Sequence, residues 1–375
     1  MATFVDIHAL HTVPPSNMNR DDTGAPKTAV FGGVVRHRVS SQAWKHAIRK
    51  HFKDHFDASE CGVRSRRLPE SIIKQVVEKG EGQWDKESAK TSVEKLFEAA
   101  SVPVKPSKEK EGKEPISETR YLLFLSSRQI KNIVQWILDN PEGKPTKKLA
   151  TELFNTAQSV DIAMFGRMLA GARDFNVDAS VQVAHALGVG QAEQEFDYFT
   201  AVDDEVENAE ETGAGMISTN AIMSSTLYRY ATVDVDGLAK NLGDGLAADQ
   251  ATVQFVSSFI ESMPTGKQNS YANRTLPEAI IVTIRTDRPV SYVGAFEDPV
   301  VDNGQGRRGE AAKKLAREIE AVESTYANSP LVTWVIALPK LADEFDTVGT
   351  ISTLPDALEG LSSALAQLRE KVATE

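Results

Sequence analysis

A chain of 375 residues with 41% hydrophobic content can bury a full core and hold either one large domain with insertions or two domains. Its apolar stretches, such as 121–125 and 332–338, are far shorter than the roughly 20 residues a membrane-spanning helix needs. Its single cysteine, Cys61, can close neither an internal disulfide nor a paired-sulfur metal site, which fits a reducing compartment. The formal net charge of −11 argues, as a total, against a nucleic-acid partner. The distribution argues otherwise. Residues 1–53 carry eight Lys or Arg against three Asp, with five histidines besides, whereas residues 195–215 carry eight acids and no Lys or Arg. Such polarity suits a basic face for one partner and an acidic face for another copy. The opening Met-Ala-Thr-Phe-Val-Asp lacks a basic region followed by an apolar stretch, so no secretory signal is expected and the protein should stay in the cytoplasm.

In chain order, the alternation over residues 3–10 predicts a short strand. Val13-Pro14-Pro15 and the polar run from Asn19 to Gly24 then predict a loop. Residues 29–39 predict a second strand, broken at Phe31-Gly32-Gly33 and carrying Arg36 and Arg38 as a basic face. Ser40 or Ser41 should cap a helix whose buried side holds Trp44, Ala47 and Ile48. Lys45 and Arg49, four apart, share a different face of it. Residues 69–100 read as helical, and 102–118, rich in Pro, Lys and Glu, as an exposed linker. Helices are predicted near 128–138 and 145–154, while 161–169 is ambiguous. From Glu195 the chain reads as an extended hairpin or arm, with alternation resuming near 224–231. A helix over 252–261, a strand over 279–285, a helix over 309–323, a strand over 332–338 and a terminal helix over 358–372 complete the chain. Strands and helices thus flank a helical middle.

Catalytic signatures are missing: there is no Gly-x-Ser-x-Gly elbow, Walker lysine loop, His-Glu-x-x-His or paired-Cys motif. Asp21 and Asp22 form a two-acid loop that lacks further metal ligands, and His8 with His11 reads as hydrogen-bonded structure. Phe31-Gly32-Gly33 offers a backbone able to approach a ligand. Around it Lys27, Arg36, Arg38, Ser40, Gln42, Lys45 and Arg49 concentrate donors that suit phosphate and sugar contacts. Tyr198 and Phe199 beside Thr200 are placed either to stack on bases or to pack in a core.

Asn19-Arg20-Asp21-Asp22, Ala29-Val30-Phe31-Gly32-Gly33, and Arg38-Val39-Ser40-Ser41-Gln42 followed by Trp44-Lys45-His46-Ala47-Ile48-Arg49 together resemble the CasC (Cse-type) backbone subunit of type I-E CRISPR Cascade. Gly166-Arg167-Met168, Phe199-Thr200-Ala201-Val202-Asp203-Asp204, Leu227-Tyr228-Arg229-Tyr230-Ala231, Gly266-Lys267-Gln268 and Tyr271-Ala272 extend the resemblance in the same order, leaving 55–155 and the C-terminal end outside it. The resemblance implies an α+β hand. Its ferredoxin-like (RRM-like) palm would take residues 1–58 and 224–375, the helical fingers insertion 59–190, and the β-hairpin thumb 191–223.

It further implies a non-catalytic protein without cofactor or metal that stacks with neighbouring copies along a crRNA, beside other Cascade subunits and away from any membrane. By the resemblance Arg20, Lys27, Ser40, Gln42, Lys45, Arg49, Arg167, Lys267 and Gln268 contact the RNA backbone. His46 stands where the family often has a basic residue, and Tyr198, Phe199 and Thr200 sit where the guide is kinked. Bases between kinks stay free to pair with target DNA, so the subunit reads shape and charge while base pairing reads sequence. The acidic thumb would meet a basic patch on the next copy that includes Arg307 and Arg308. The rival expectation is an RNA endonuclease: backbone subunits of the related type III complexes cut target RNA with an aspartate in the loop after the first strand, a place that Asp21 or Asp22 would occupy here.

Overall fold

The computed structural model describes residues 2–108, 114–169, 171–201 and 216–374. It is an α+β structure that divides into two compact units. One comprises 1–51, 183–233 and 252–375, the other 52–182 and 234–251. The division thus falls at 51/52, 182/183, 233/234 and 251/252. Much of the acidic run, 202–215, lies outside the described residues.

The first unit is built on a sheet whose central strand β1 (Phe4–Ser16) pairs antiparallel with Ala279–Arg285, from Phe4 opposite Arg285 to Leu10 opposite Ala279. Val332–Ala337 and Thr350–Ile351 extend the sheet on that side. On the other side of β1 come Met216–Asp234, Ala186–Gly188, β3 (Val34–Val39) and β2 (Thr28–Phe31). The run Ala-Ile-Ile-Val-Thr-Ile-Arg of Ala279–Arg285 is buried throughout, as a β-branched strand covered on both faces should be. Helix Arg308–Tyr326 contributes Ala311, Leu315 and Ile319 to a core shared with Ile281, Tyr292, Phe296 and Val335.

Two sequence expectations change here. β1 continues through Pro14 and Pro15, beyond Leu10, where its pairing with Ala279–Arg285 stops. The missing proline N–H therefore removes no bond from that ladder. Phe31-Gly32-Gly33 is a two-residue hairpin turn with both glycines at positive φ, 58° and 78°, the geometry a tight hairpin demands. A Cβ on Gly32 would lie 1.7 Å from the carbonyl oxygen of Glu297, so the close approach serves the protein's own backbone and not a ligand.

The second unit has its own core of Ile72, Val76, Val93, Phe97, Ile133 and Phe154. These residues come from helices Leu68–Lys79, Lys86–Ala99, Ser127–Asp139 and Lys147–Asn155. Capping boxes at Asp85/Ser88 and Ser126/Gln129 start two of them. The ambiguous 161–169 segment forms helix Val160–Phe165, stopped by Gly166 at φ 74°. The expected linker 102–118 is partly ordered as a ladder, Val104–Pro106 against Ser117–Thr119. Long-range bonds hold it: Ser117 N–H donates to Glu70 at 2.9 Å and Thr119 N–H to the Arg66 carbonyl at 2.8 Å. No helix among the described residues is long and apolar enough to cross a membrane.

Candidate nucleic-acid interface

Four segments of the first unit meet around the start of helix α1 (Ser41–His55). Ser40 precedes it as the cap, its Oγ accepting from Ala43 N–H at 3.3 Å. Asn19 ties the 17–27 loop to this point: its Oδ1 accepts from Ser40 N–H at 2.8 Å and its carbonyl from Lys27 N–H at 3.0 Å. The 264–268 loop lies directly on the same segment, since a Cβ on Gly266 would stand 2.2 Å from the carbonyl oxygen of Met18. The base of the hairpin Glu195–Ala201/Met216–Asp234 joins them, with Asn17 donating to the Ala221 carbonyl at 2.9 Å and Lys267 Nζ donating to Asn220 Oδ1.

These contacts gather most of the expected cations in one unit. Arg20 is exposed and Lys27 half-buried. On α1, Gln42 and His46 are exposed, Lys45 and Arg49 half-buried, and Trp44, Ala47 and Ile48 buried, so the polar and apolar stripes divide as the spacing predicts. Burial holds the Lys45 ammonium below its ordinary pKa. Lys267 adopts a left-handed backbone, φ 47°, at the start of the short helix Gln268–Tyr271. Gln268 accepts from Arg274 at 3.3 Å.

The helix is aligned from beneath by a buried cation. Arg229 stacks 3.7 Å from the Trp44 ring centroid and 4.2 Å from that of Phe259, and donates to His11 Nδ1 at 3.0 Å. His11 Nε2 donates in turn to the Thr275 carbonyl at 3.0 Å. Burial, with Arg229 beside it, pushes the His11 imidazole down to about 3. His11 is thus a neutral structural link, and so is His8, which burial with the charge of Arg285 lowers to about 3.

Sequence reasoning overlooked His185 and underweighted Arg38. His185 Nδ1 accepts from Ser41 N–H at 3.2 Å and from Arg38 Nη1 at 3.5 Å, which leaves the ring proton on Nε2. Burial and the charges of Arg38 and Lys27 lower its pKa. An isolated histidine gives no periodic signal, and only the pairing of β3 with Ala186–Gly188 brings it here.

At three of the expected positions the fold engages the side chains in its own packing or divides them between faces. Arg36, read as part of a basic face, is fully buried and donates to the carbonyls of Phe31, Gly188, Val189, Phe296 and Glu297 at 2.7–3.2 Å. Arg167 lies in the second unit, 4% exposed, and donates to the carbonyls of Phe175, Phe124 and Phe154 and to Asn155 Oδ1. Four of its roughly five N–H donors are thereby committed internally, so it braces the fold and offers little to a ligand. In the hairpin, Tyr198 is opposite Thr219 and Phe199 opposite Ser218, so the two rings point to opposite faces. Tyr198 shares its face with Phe196, Thr200 and Ile217, and Phe196, Tyr198 and Ile217 are each at least 60% exposed. On the other face Asp197 accepts from Tyr271 OH at 3.1 Å.

The acidic pair is organised for a turn. Asp21 Oδ1 accepts from Thr23 N–H at 2.9 Å, Thr23 Oγ1 at 2.7 Å and Ala25 N–H at 3.0 Å. These bonds, led by that from the Thr23 hydroxyl, hold its carboxyl below the usual range. Among the described residues no group of three His, Cys, Asp or Glu side chains is placed to hold a metal ion. Arg308 pairs with Glu278 at 3.8 Å.

The profile of the CT1975-like protein family matches residues 5–359. The chain belongs to this family. No curated protein matches it significantly. Among solved structures, this CT1975-like protein is similar to a chain of a "CRISPR RNA-guided surveillance complex, pre-nicking", with 32% identity and a TM-score of 0.84 over 96% of this chain and 100% of that one. A chain of a second "CRISPR RNA-guided surveillance complex" has 28% identity and a TM-score of 0.74 over 96% and 99%.

Proposed function

We propose that this protein is a non-catalytic crRNA-binding backbone subunit of a CRISPR surveillance complex of the type I-E Cascade kind. In this reading it works in the cytoplasm with neighbouring copies and other Cascade subunits. The first unit then holds a ferredoxin-like, RRM-like palm together with the β-hairpin thumb expected at 191–223, and the helical unit holds the fingers. The observation that carries the reading is the junction at the start of α1, where Arg20, Lys27, Arg38, Lys45 and Lys267 share one unit with the exposed hairpin aromatics. Lysine and arginine side chains bind phosphate without reading bases. This suits a subunit that leaves the guide free to pair with target DNA.

In this reading Arg36 and Arg167 leave the contact set, because their donors serve the protein's own carbonyls, and Ser40 leaves it too, because its buried hydroxyl caps α1. Arg38 and His185 take their place, and Tyr198 is assigned to the kink on one hairpin face while Phe199 serves the other. Lys45→Ala combined with Arg49→Ala should lower guide-RNA retention for all guide sequences alike and flatten its salt dependence; retention that varies strongly with guide sequence overturns the phosphate-only reading. The nuclease alternative is tested by incubating the protein with guide, complementary RNA and magnesium. A non-catalytic subunit should yield no cleavage products, consistent with an Asp21 carboxylate committed to its own turn.

A further inference from the structure

Phosphate contacts alone do not tell an RNA guide from a DNA strand of the same sequence; the ribose 2′-hydroxyl does. His185 carries a group suited to that hydroxyl. Its backbone is held on both sides: Ala184 N–H donates to the Tyr230 carbonyl at 2.9 Å, and Ala186 is paired with Val39. The side chain is exposed, yet its ring is fixed. Nδ1 accepts from Ser41 N–H at 3.2 Å and from Arg38 Nη1 at 3.5 Å. Arg38 Nε in turn donates to the Thr28 carbonyl at 3.0 Å, which holds the guanidinium beside the imidazole. Two donors converging on Nδ1 leave no place there for a proton, so the ring carries its single N–H on Nε2. Partial burial with the charges of Arg38 and Lys27 lowers its pKa, and the ring is therefore neutral at neutral pH. Both of its hydrogen bonds among the described residues end on Nδ1, so the Nε2 proton is spent on neither.

We propose that His185 donates its Nε2 proton to a ribose 2′-hydroxyl of the guide and is the residue that selects RNA over DNA at this interface. Hydrogen bonds with a charged partner are roughly twice as strong as neutral ones, so phosphate oxygens go to Arg38 and Lys27. The acceptor that suits an uncharged N–H beside those cations is an uncharged oxygen of the same strand. Every ribonucleotide carries this hydroxyl, so the contact reads the sugar and leaves the bases open to pairing. Such selectivity rests on the guide-binding reading of the same interface. A histidine that only ties Ser41 to Arg38 needs Nδ1 alone, and the Nε2 proton is what that structural task leaves over.

The test uses the full chain and fluorescent single strands of one sequence made as RNA, as DNA and as 2′-fluoro RNA, whose fluorine keeps the ribonucleotide pucker but accepts hydrogen bonds poorly. Affinity is measured by anisotropy at a single salt concentration. The wild type should favour RNA over 2′-fluoro RNA by about fivefold, the worth of one hydrogen bond. His185→Ala should weaken RNA alone by that factor and bring the ratio to about one, with the melting transition intact. His185→Gln keeps an acceptor for Ser41 N–H and a neutral donor, and should retain most of the preference. His185→Lys should bind all three strands more tightly than His185→Ala does, without restoring the ratio. Lys45→Ala with Arg49→Ala should weaken all three alike and leave the ratio as it is. Equal wild-type affinity for RNA and 2′-fluoro RNA, or a His185→Ala loss shared by all three strands, overturns the proposal and leaves the guide-binding reading standing. A wild-type chain that binds none of them overturns that reading, and the selectivity falls with it.

Discussion

The segment 27–49 and the segment 102–120 both combine cations with polar residues, yet the fold treats them in opposite ways. In the first, Arg36 is buried where five carbonyl oxygens surround it, and a helix then displays Lys45 and Arg49 along one stripe. In the second, a ladder too polar to form a core leaves Lys105, Lys108 and Arg120 at the surface and is fixed by bonds to Glu70 and Arg66. A count of cations therefore says little about the charge a partner meets. What decides it is whether backbone carbonyls face each cation.

Arg36→Ala should have the largest effect of any single change in the first segment. It strands a group of buried carbonyls and should cost at least about 3 kcal/mol. Arg36→Lys should not rescue it, because one ammonium cannot span five acceptors spread over separate segments. Lys45→Ala, nine residues on, should stay within about 0.5 kcal/mol. Equal melting temperatures for the two alanine variants would erase the distinction between inward and outward cations.

Acid should act next, and on the first unit. His8 and His11 are pushed down to about 3 and His37 to about 4, burial being the main cause. A base with a depressed pKa stabilises the fold in full above its unfolded value near 6.5 and loses that contribution as pH falls towards the folded value. Asp6 works in the opposite sense: burial raises it to about 6, so its contribution is present below the unfolded value near 3.8 and lost as pH rises through 6. Three histidines outweigh one aspartate, and the melting temperature should fall steadily from pH 7 to pH 4.5. A flat or rising profile would mean that the buried histidines do not stay neutral.

Strand Ala279–Arg285, the helix through 309–323 and the capped start of α1 were legible because each repeats a period or carries a local cap. Arg36 and Arg167 were not, since nothing in a local window reveals that distant carbonyls converge on an arginine. Nor were His185 and Asn19: their roles come from sheet pairing and a loop crossing that join positions far apart in the chain. The ladder at 104–119 escaped because its strands are three residues long and contain Lys105, Pro106 and Glu118, which disfavour strands, and its order comes from tertiary bonds.

Two smaller changes separate the frame of the candidate site from its contacts. Gly266→Ala drives a methyl into the Met18 carbonyl and should cost about 1–3 kcal/mol. It should also lower guide retention, because it displaces Lys267 along with the loop. Ser40→Ala removes only a cap whose hydroxyl belongs to a residue 4% exposed, so about 1 kcal/mol is expected, with retention unchanged. Ser40→Asp restores the cap and should restore the melting temperature. If Ser40→Ala instead melted like the wild type and released guide RNA, the hydroxyl would be a phosphate ligand, and the start of α1 would belong to the contact surface itself and not to its support.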